Sequence, residues 1–230
     1  MGKLFVIATP LGNLEDISAR ALATLREADL VLCEDTRVGG KLLHLYGIEK
    51  PLQSYHQHSN PLVFVKILQK ISDGGNVALI TDAGTPGISD PGNELISMLL
   101  EHDPHLSVVP VPGASSVTAL LSVSGFDCAQ FTFIGFFPRK KKTKVIQEIL
   151  LSHRPIVFFE SPHRIVKTLG ELAKTLELDR KIVVGRELTK MYETLYRGTA
   201  ESVQKDLLSL SSIKGEIVVV VNKASKNSPT

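Results

Sequence analysis

The sequence predicts an α/β protein made of two α/β domains. Short apolar runs alternate with amphipathic stretches along the chain, which is the pattern of buried strands separated by helices. Near the middle, residues 110–113 read PVPG, and two prolines around one valine disfavour both helix and strand. We therefore expect an N-terminal domain with a parallel sheet over 1–111, a C-terminal domain with a mixed sheet over 112–223, and a polar tail over 224–230.

In the N-terminal domain, apolar runs predict buried strands, and stretches with helical spacing of apolar residues lie between them. The predicted strands cover residues 4–8, 30–33, 77–80 and 107–109. The predicted helices cover residues 17–28, 62–71 and 93–101. A regular succession of strand and helix indicates a parallel sheet wrapped by helices.

The C-terminal domain continues this alternation after a helix predicted over residues 116–124. Its predicted strands cover residues 131–137, 156–159, 182–185 and 216–221. Its remaining predicted helices cover residues 145–151, 165–176 and 203–210. The second half is therefore expected to be another α/β unit of similar size.

The composition excludes several classes of protein. Hydrophobic residues make up 43% of the 230 residues, which is enough for a folded core. Two cysteines, Cys33 and Cys128, cannot build a disulfide framework or a four-cysteine zinc site, and no metal site is expected. The net charge of +2 means that any nucleic-acid contact must be local. Apolar runs reach only about five residues, far short of the ~20 that span a bilayer, so we expect a cytoplasmic protein.

Small and polar residues follow the ends of all four N-terminal strands. These loops cover residues 9–13, 34–37, 81–92 and 112–116. Carboxyl ends of parallel strands meet at one edge of a sheet, where ligands bind in such proteins. Gly87 and Gly92 have the spacing of a phosphate loop, but Asn93 stands where the lysine is required, and no GxGxxG follows the first strand. Carboxylates and backbone groups instead suit a nucleoside-like ligand.

Charged residues follow three strands of the C-terminal domain. The run Arg139–Lys144 carries five positive charges in six residues, which suits either a solvated face or contacts with RNA phosphates. The segment 160–164 (ESPHR) leads into a helix, so His163 and Arg164 suit an anion contact, although the segment equally suits a helix cap. The third loop, 186–190 (RELTK), carries charges of both signs.

Six motifs in this order resemble one family, the ribosomal RNA small subunit methyltransferases I of the tetrapyrrole-methylase-like superfamily. They are residues 8–17 (ATPLGNLEDI), 34–37 (EDTR), 82–92 (DAGTPGISDPG), 112–115 (PGAS), 160–164 (ESPHR) and 186–190 (RELTK). The resemblance spans about residues 4–222. Longer relatives carry a helical extension after the last strand, whereas this chain ends soon after Val221.

The resemblance implies two α/β domains with S-adenosylmethionine in a cleft between them, and a homodimer. It implies methyl transfer to the ribose 2′-hydroxyl of a cytidine in the decoding region of 16S rRNA, as free rRNA or in the small ribosomal subunit. By matched position, it implies a set of residues against the methyl donor. These are Pro10, Leu11, Asp82, Ala83, Gly84, Thr85, Ser115, Ser116, Phe159, Leu188, Gly215 and Glu216.

The ribose hydroxyl must lose a proton, and four residues of the matched motifs are candidates to accept or steer it. They are Asp35, Glu160, Glu187 and Lys190. A second set of residues is expected to contact RNA. It comprises Arg37, Arg139, Lys140, Lys141, Lys142, Lys144, His163 and Arg164. Two alternatives stay open: a C-methyltransferase that acts on a tetrapyrrole precursor, and an RNA-binding module without catalytic activity.

Overall fold

The computed structural model describes residues 1–56, 60–90 and 92–224. Contacts within the chain divide it into two compact units, Met1–Ser115 and Ser116–Thr230. Both units contain one five-stranded sheet with helices packed on it, so the predicted α/β class is confirmed.

The first unit contains a fully parallel sheet, as predicted. Its strands are β1 (Leu4–Ile7), β2 (Leu30–Cys33), β3 (Leu52–Ser54), β4 (Val77–Leu79) and β5 (Val108–Val111). They lie in the order β3-β2-β4-β1-β5, and each neighbouring pair is parallel. All five carboxyl ends therefore share one edge of the sheet.

Helices cover both faces of this sheet. They are α1 (Ala19–Glu27), α2 (Thr36–Leu45), α3 (Pro61–Ser72) and α4 (Gly92–His102), with a short 3-10 helix at Leu14–Asp16. Alternate residues of a strand enter opposite cores: Val31 packs in the cluster with α1 and α2, and Leu32 packs in the cluster with α3 and α4. The Ser18 side chain starts α1 by accepting a hydrogen bond from the Ala21 amide.

Three features of this unit were not predicted. Helix α2 carries two glycines, which disfavour helix. A Cβ on Gly39 would lie only 2.9 Å from the Cys33 sulfur, so α2 can pack closely on β2 only because Gly39 has no side chain. Strand β3 is too short to give a periodic signal. The prediction that Pro110 breaks the strand is wrong: β5 includes it, because β5 is an edge strand where a missing N–H is tolerated.

The second unit contains a mixed sheet. Its strands are β6 (Thr132–Phe136), β7 (Ile156–Glu160), β8 (Lys181–Arg186), β9 (Thr194–Thr199) and β10 (Ile217–Val221). They lie in the order β6-β7-β10-β8-β9; β6 and β7 are parallel and the other neighbouring pairs are antiparallel. The carboxyl ends of β6, β7 and β8 therefore meet the amino ends of β9 and β10 at one edge.

Helices also cover both faces of the second sheet. They are α5 (Ser116–Ser124), α6 (Lys142–Leu151), α7 (Ile165–Ala173) and α8 (Ala200–Leu208). Helix α5 packs on one face through Leu120, and the other helices pack on the opposite face through residues such as Leu169. Strand β9 was not predicted, because as an edge strand it is only partly buried and keeps polar residues such as Arg197. Within the described residues, no helix is both long enough and apolar enough to cross a membrane.

The different burial of two leucines in the second unit predicts different effects of their substitution on stability. Leu169 is fully buried, whereas Leu178 is 89% exposed. Leu169→Ala should lower the free energy of unfolding by about 2–5 kcal/mol, because it removes buried methyl groups and leaves a cavity. Leu178→Ala should change it by less than about 0.5 kcal/mol. Urea unfolding followed by circular dichroism measures both, and equal losses would contradict this assignment of the core.

Candidate functional site

Backbone and side-chain hydrogen bonds join the loops at the carboxyl edge of the first sheet. Thr9 after β1 and Gly84 after β4 exchange backbone hydrogen bonds of 2.8 and 3.1 Å. Thr85 donates its hydroxyl to the carbonyl oxygen of Ala114, which follows β5, at 3.1 Å. Strands β1 and β4 are neighbours in the sheet, but the chain passes from β1 to β2 towards one side of the sheet and from β4 to β5 towards the other. Such a topological switch point leaves a crevice in which a ligand can bind.

The residues of the first unit that were predicted to contact the methyl donor all lie in these joined loops. Pro10 and Leu11 follow Thr9, and Ser115 follows Ala114. The remaining members of the set occupy the loop after β4: Asp82, Ala83, Gly84 and Thr85. The sheet thus brings three separate motifs to one edge within this unit.

Four carboxylates gather at the same edge. Glu34 follows β2 and accepts a 2.6 Å hydrogen bond from the Thr81 hydroxyl. Asp82 is exposed, yet partial loss of hydration, with the charges of Glu34 and Asp35, raises its pKa. Burial, followed by the charge of Glu34, raises the pKa of Asp90 to about 6. The charged forms of Asp82 and Asp90 are therefore disfavoured, so a cationic ligand would be stabilised beside them.

Asp35 and Arg37 pair with each other. The Asp35 carboxylate caps α2 by accepting from the Arg37 amide at 2.8 Å, and it also accepts from the Arg37 guanidinium. The side-chain hydrogen bond from Arg37 is the main reason that the pKa of Asp35 falls to about 2. Asp35, a predicted proton acceptor, is therefore a weak base. The Arg37 side chain is 90% exposed, as an RNA contact requires.

The second sheet collects the other predicted residues at the edge defined by the carboxyl ends of β6, β7 and β8. The predicted donor contacts there are Phe159, Leu188, Gly215 and Glu216; the predicted proton acceptors are Glu160, Glu187 and Lys190. Ser116 is the first residue of α5. Phe159 packs edge-on against Phe133 and Phe136, with ring centroids 5.0 and 5.3 Å apart.

Three charged side chains form one ion-pair cluster between β8 and β10. Glu187 accepts from the Lys190 ammonium at 3.0 Å and from the Glu216 amide at 2.9 Å, and the Glu216 carboxylate lies 3.2 Å from Lys190. Burial raises the pKa of Glu187, but these hydrogen bonds outweigh it and hold the pKa below the usual value. Burial likewise opposes the Lys190 charge, yet its two carboxylate partners raise the lysine pKa.

Gly215 is required beside this cluster. Its φ is +91°, and a Cβ there would lie 2.2 Å from the Glu187 carboxyl carbon. Glu187 and Thr189 also have positive φ, at 53° and 65°, so the loop after β8 is strained. The loop keeps Leu188 buried between these two residues.

Glu160 and Arg164 have structural roles that differ from the predictions. The Glu160 side chain is fully buried; it accepts from the Ser161 amide and from the Thr168 hydroxyl, both at 2.7 Å. Arg164 lies 3.3 Å from Glu160 and donates to the carbonyl oxygen of Phe137 at 2.8 Å. Glu160, a predicted proton acceptor, and Arg164, a predicted RNA contact, are thus each already paired inside the unit.

Most of the predicted basic run is open to solvent. Arg139, Lys140, Lys141 and Lys144 are exposed, as is His163 in the neighbouring loop. Lys142 differs, because its ammonium lies 3.0 Å from both oxygens of Glu171. The ion pair with α7 therefore engages the charge of Lys142, which the sequence predicts as an RNA contact.

Three groups at these edges were not selected from the sequence. Glu34 and Asp90 lie in motifs that were identified, but their local sequence does not reveal that they share one acidic cluster. Arg186 at the end of β8 is a third case: its Nε is buried without a hydrogen-bond partner among the described residues. Strand order alone brings these groups beside the predicted ones.

The fold and the loop motifs define a class of methyltransferase. Residues 3–204 match the family model for Tetrapyrrole (Corrin/Porphyrin) Methylases. The solved structure of cobalt precorrin-4 methyltransferase superposes with a TM-score of 0.70 at 18% identity, covering 95% of this chain and 94% of that one. Diphthine synthase gives a TM-score of 0.71 at 16% identity, covering 96% and 90%. The fold is that of the tetrapyrrole methylases.

Relatives with higher sequence identity indicate which family of tetrapyrrole methylases the chain belongs to. Proteins named ribosomal RNA small subunit methyltransferase I are 43% identical in Bacillus subtilis and 40% identical in Thermotoga maritima, each over 96% of this chain. The match covers 75% of the first relative and 99% of the second. The chain belongs to the tetrapyrrole methylase family and, within it, to the ribosomal RNA small subunit methyltransferase I family.

The acidic cluster predicts a pH-dependent effect of Asp90. Its folded pKa of about 6 exceeds the ordinary value of 3.8, so the folded state holds this proton more tightly than the unfolded chain. The resulting stabilisation is complete below about pH 4 and is lost as the pH rises through about 6. Asp90→Asn should therefore raise the melting temperature at pH 7 and leave it unchanged at pH 4. Calorimetry measures both, and a gain that persists at pH 4 would contradict the assignment.

Proposed function

We propose that the chain transfers the methyl group of S-adenosylmethionine to the ribose 2′-hydroxyl of a cytidine in the decoding region of 16S rRNA. The observation that carries this proposal is 40–43% identity to rRNA small subunit methyltransferases I over 96% of the chain. The solved tetrapyrrole methyltransferases are only 17–18% identical, a level that supports the fold but not their substrates. A tetrapyrrole substrate is therefore not favoured.

The first unit offers groups that suit this methyl donor. S-adenosylmethionine carries a sulfonium and an ammonium, and it supplies an electrophilic methyl group when bound. The negative charges of Asp82 and Asp90 are destabilised beside Glu34, and a cation would relieve this. The joined loops at Thr9 and Gly84 present fixed backbone groups at the same edge, which suits the ribose and base of the donor. Asp82 is exposed, so its carboxylate can accept from a ligand donor.

The four candidate proton acceptors are all held in other interactions. Asp35 has a pKa of about 2, and Glu160 is buried with its oxygens paired. Glu187 and Lys190 neutralise each other. These pairings favour a reaction in which positioning of the methyl group and the ribose oxygen supplies most of the rate, and in which the proton leaves to water.

The substrate surface and the assembly follow from the same proposal. Arg139, Lys140, Lys141 and Lys144 are the exposed charges that suit rRNA phosphates, with His163 and Arg37 as further contacts. A homodimer is supported by the family resemblance and by the frequency of symmetric dimers among soluble oligomers. A cytoplasmic location follows from a ribosomal substrate.

Loss of the Asp82 carboxylate should weaken donor binding. Asp82→Ala removes a charge-assisted hydrogen bond worth about 1.5–3 kcal/mol, roughly a 10- to 150-fold increase in the Kd for S-adenosylmethionine. Asp73→Ala is the matched control, because Asp73 ends α3 at the opposite edge of the sheet. Isothermal titration calorimetry measures both. An unchanged Kd for Asp82→Ala would remove this residue from the donor site.

Exposed and paired lysines should differ in RNA binding. In the triple variant Lys140→Ala, Lys141→Ala, Lys144→Ala, the slope of log affinity for unmethylated 16S rRNA against log salt should become less steep by about 2. Each lost phosphate contact with a single strand contributes about 0.7 to this slope. Lys142→Ala should leave the slope unchanged, because its ammonium already pairs with Glu171. Filter binding at several salt concentrations measures both. A triple variant with the original slope would make this run a solvated face only.

A further inference from the structure

The loop that joins β8 to β9 exposes two large apolar side chains. Met191 is 90% exposed and Tyr192 is 69% exposed. The other three tyrosines are placed differently. Tyr55 is only 5% exposed, Tyr46 donates its hydroxyl to the Leu14 carbonyl oxygen, and Tyr196 packs against the core of the second unit. Tyr192 is thus the most exposed of the four tyrosines, and it lies next to the exposed Met191.

The backbone beneath these side chains is held in one conformation. The Lys190 amide donates to the Glu187 carbonyl oxygen, and the Glu193 amide donates to that of Lys190, each at 3.0 Å. The Glu193 carboxylate accepts from the Thr189 amide at 2.6 Å. Thr194 then donates its hydroxyl to the Tyr192 carbonyl oxygen at 3.1 Å. A loop fixed in this way presents its apolar side chains to solvent instead of folding them onto the unit.

The loop lies at the edge that also carries the basic run. Strands β6 and β9 are the two ends of the second sheet, and both the residues after β6 and those before β9 lie at this edge. Neighbouring strands are about 4.8 Å apart, so the loop lies roughly 14 to 19 Å along the sheet from the run that contains Arg139 and Lys144. Lys214, another exposed cation, precedes β10 at the same edge.

We propose that Tyr192 stacks on an unpaired base of the rRNA substrate, with Met191 packed beside it, while Arg139, Lys140, Lys141 and Lys144 hold phosphates further along the same strand. This inference rests on the proposed function and names the part of the substrate that the second unit recognises. Single-stranded nucleic acid is typically bound by a basic groove combined with aromatic side chains that stack on its bases. The positive charge of the run favours RNA over a second copy of the chain as the occupant of this surface.

Substitutions of Tyr192 test the stacking directly. Tyr192→Ala should weaken equilibrium binding of unmethylated 16S rRNA by roughly 5- to 150-fold, the range for loss of one base–aromatic stack. Tyr192→Phe keeps the ring and should bind like the original chain, whereas Tyr192→Leu keeps bulk without the ring and should bind weakly. Leu178→Ala is the matched control, because Leu178 is also open to solvent but precedes β8 at the opposite edge.

Methyl-transfer kinetics and light scattering complete the test. Tyr192→Ala should raise the KM for small ribosomal subunits that lack the modification, with an unchanged Kd for S-adenosylmethionine. An unchanged RNA affinity for Tyr192→Ala, or full affinity for Tyr192→Leu, would overturn the stacking. If light scattering showed that Tyr192→Ala halves the mass of the assembly, and if RNA affinity fell only because the two copies dissociate, the loop would contact a second copy of the chain instead. Failure of the unaltered chain to methylate rRNA would overturn the proposed function, and the binding comparison among the Tyr192 variants would still decide the stacking.

Discussion

Strand direction is the constraint on which both candidate edges depend. In the first unit every neighbouring pair of strands is parallel, so the loops after β1, β2, β4 and β5 reach the same edge. In the second unit β10 runs opposite to β7 and β8, which places the start of β10 beside the ends of those strands. A reversal of any one of these strands would send its loop to the far side of the sheet.

The charged side chains at these two edges differ in whether they have partners of opposite charge. In the second unit nearly every buried or half-buried charge has a partner, such as Lys142 with Glu171 and Lys190 with Glu187. In the first unit Asp82 and Asp90 lie close to Glu34, and partial loss of hydration together with neighbouring negative charge raises the pKa of both aspartates. A paired cluster fixes the shape of a loop, whereas an uncompensated acidic cluster attracts a cation. The two edges therefore differ in their electrostatics: the charges are paired in the second unit and uncompensated in the first.

Comparison of the predicted and observed elements shows where local patterns fail. Strongly apolar strands such as β2 and β10 were predicted nearly to their ends, because both faces are buried and the apolar run is continuous. Helix α2 and strand β9 were missed, because each is stabilised by tertiary contacts that its own composition does not show. Pro110 was read as a break, although an edge strand accepts it.

The sequence by itself determined the α/β class, the two units and the loops that carry polar residues, because hydrophobic periodicity and strand-end composition are local properties of the chain. Only the tertiary structure decided which of those polar residues remain available. Glu187 and Glu216 are 29 residues apart in the chain, as are Lys142 and Glu171, and no local pattern predicts that each pair meets. The exposure of Tyr192 is a similar case, since it depends on the conformation of the loop that joins β8 to β9. Pairing and exposure arise from strand order and packing, which long-range contacts decide.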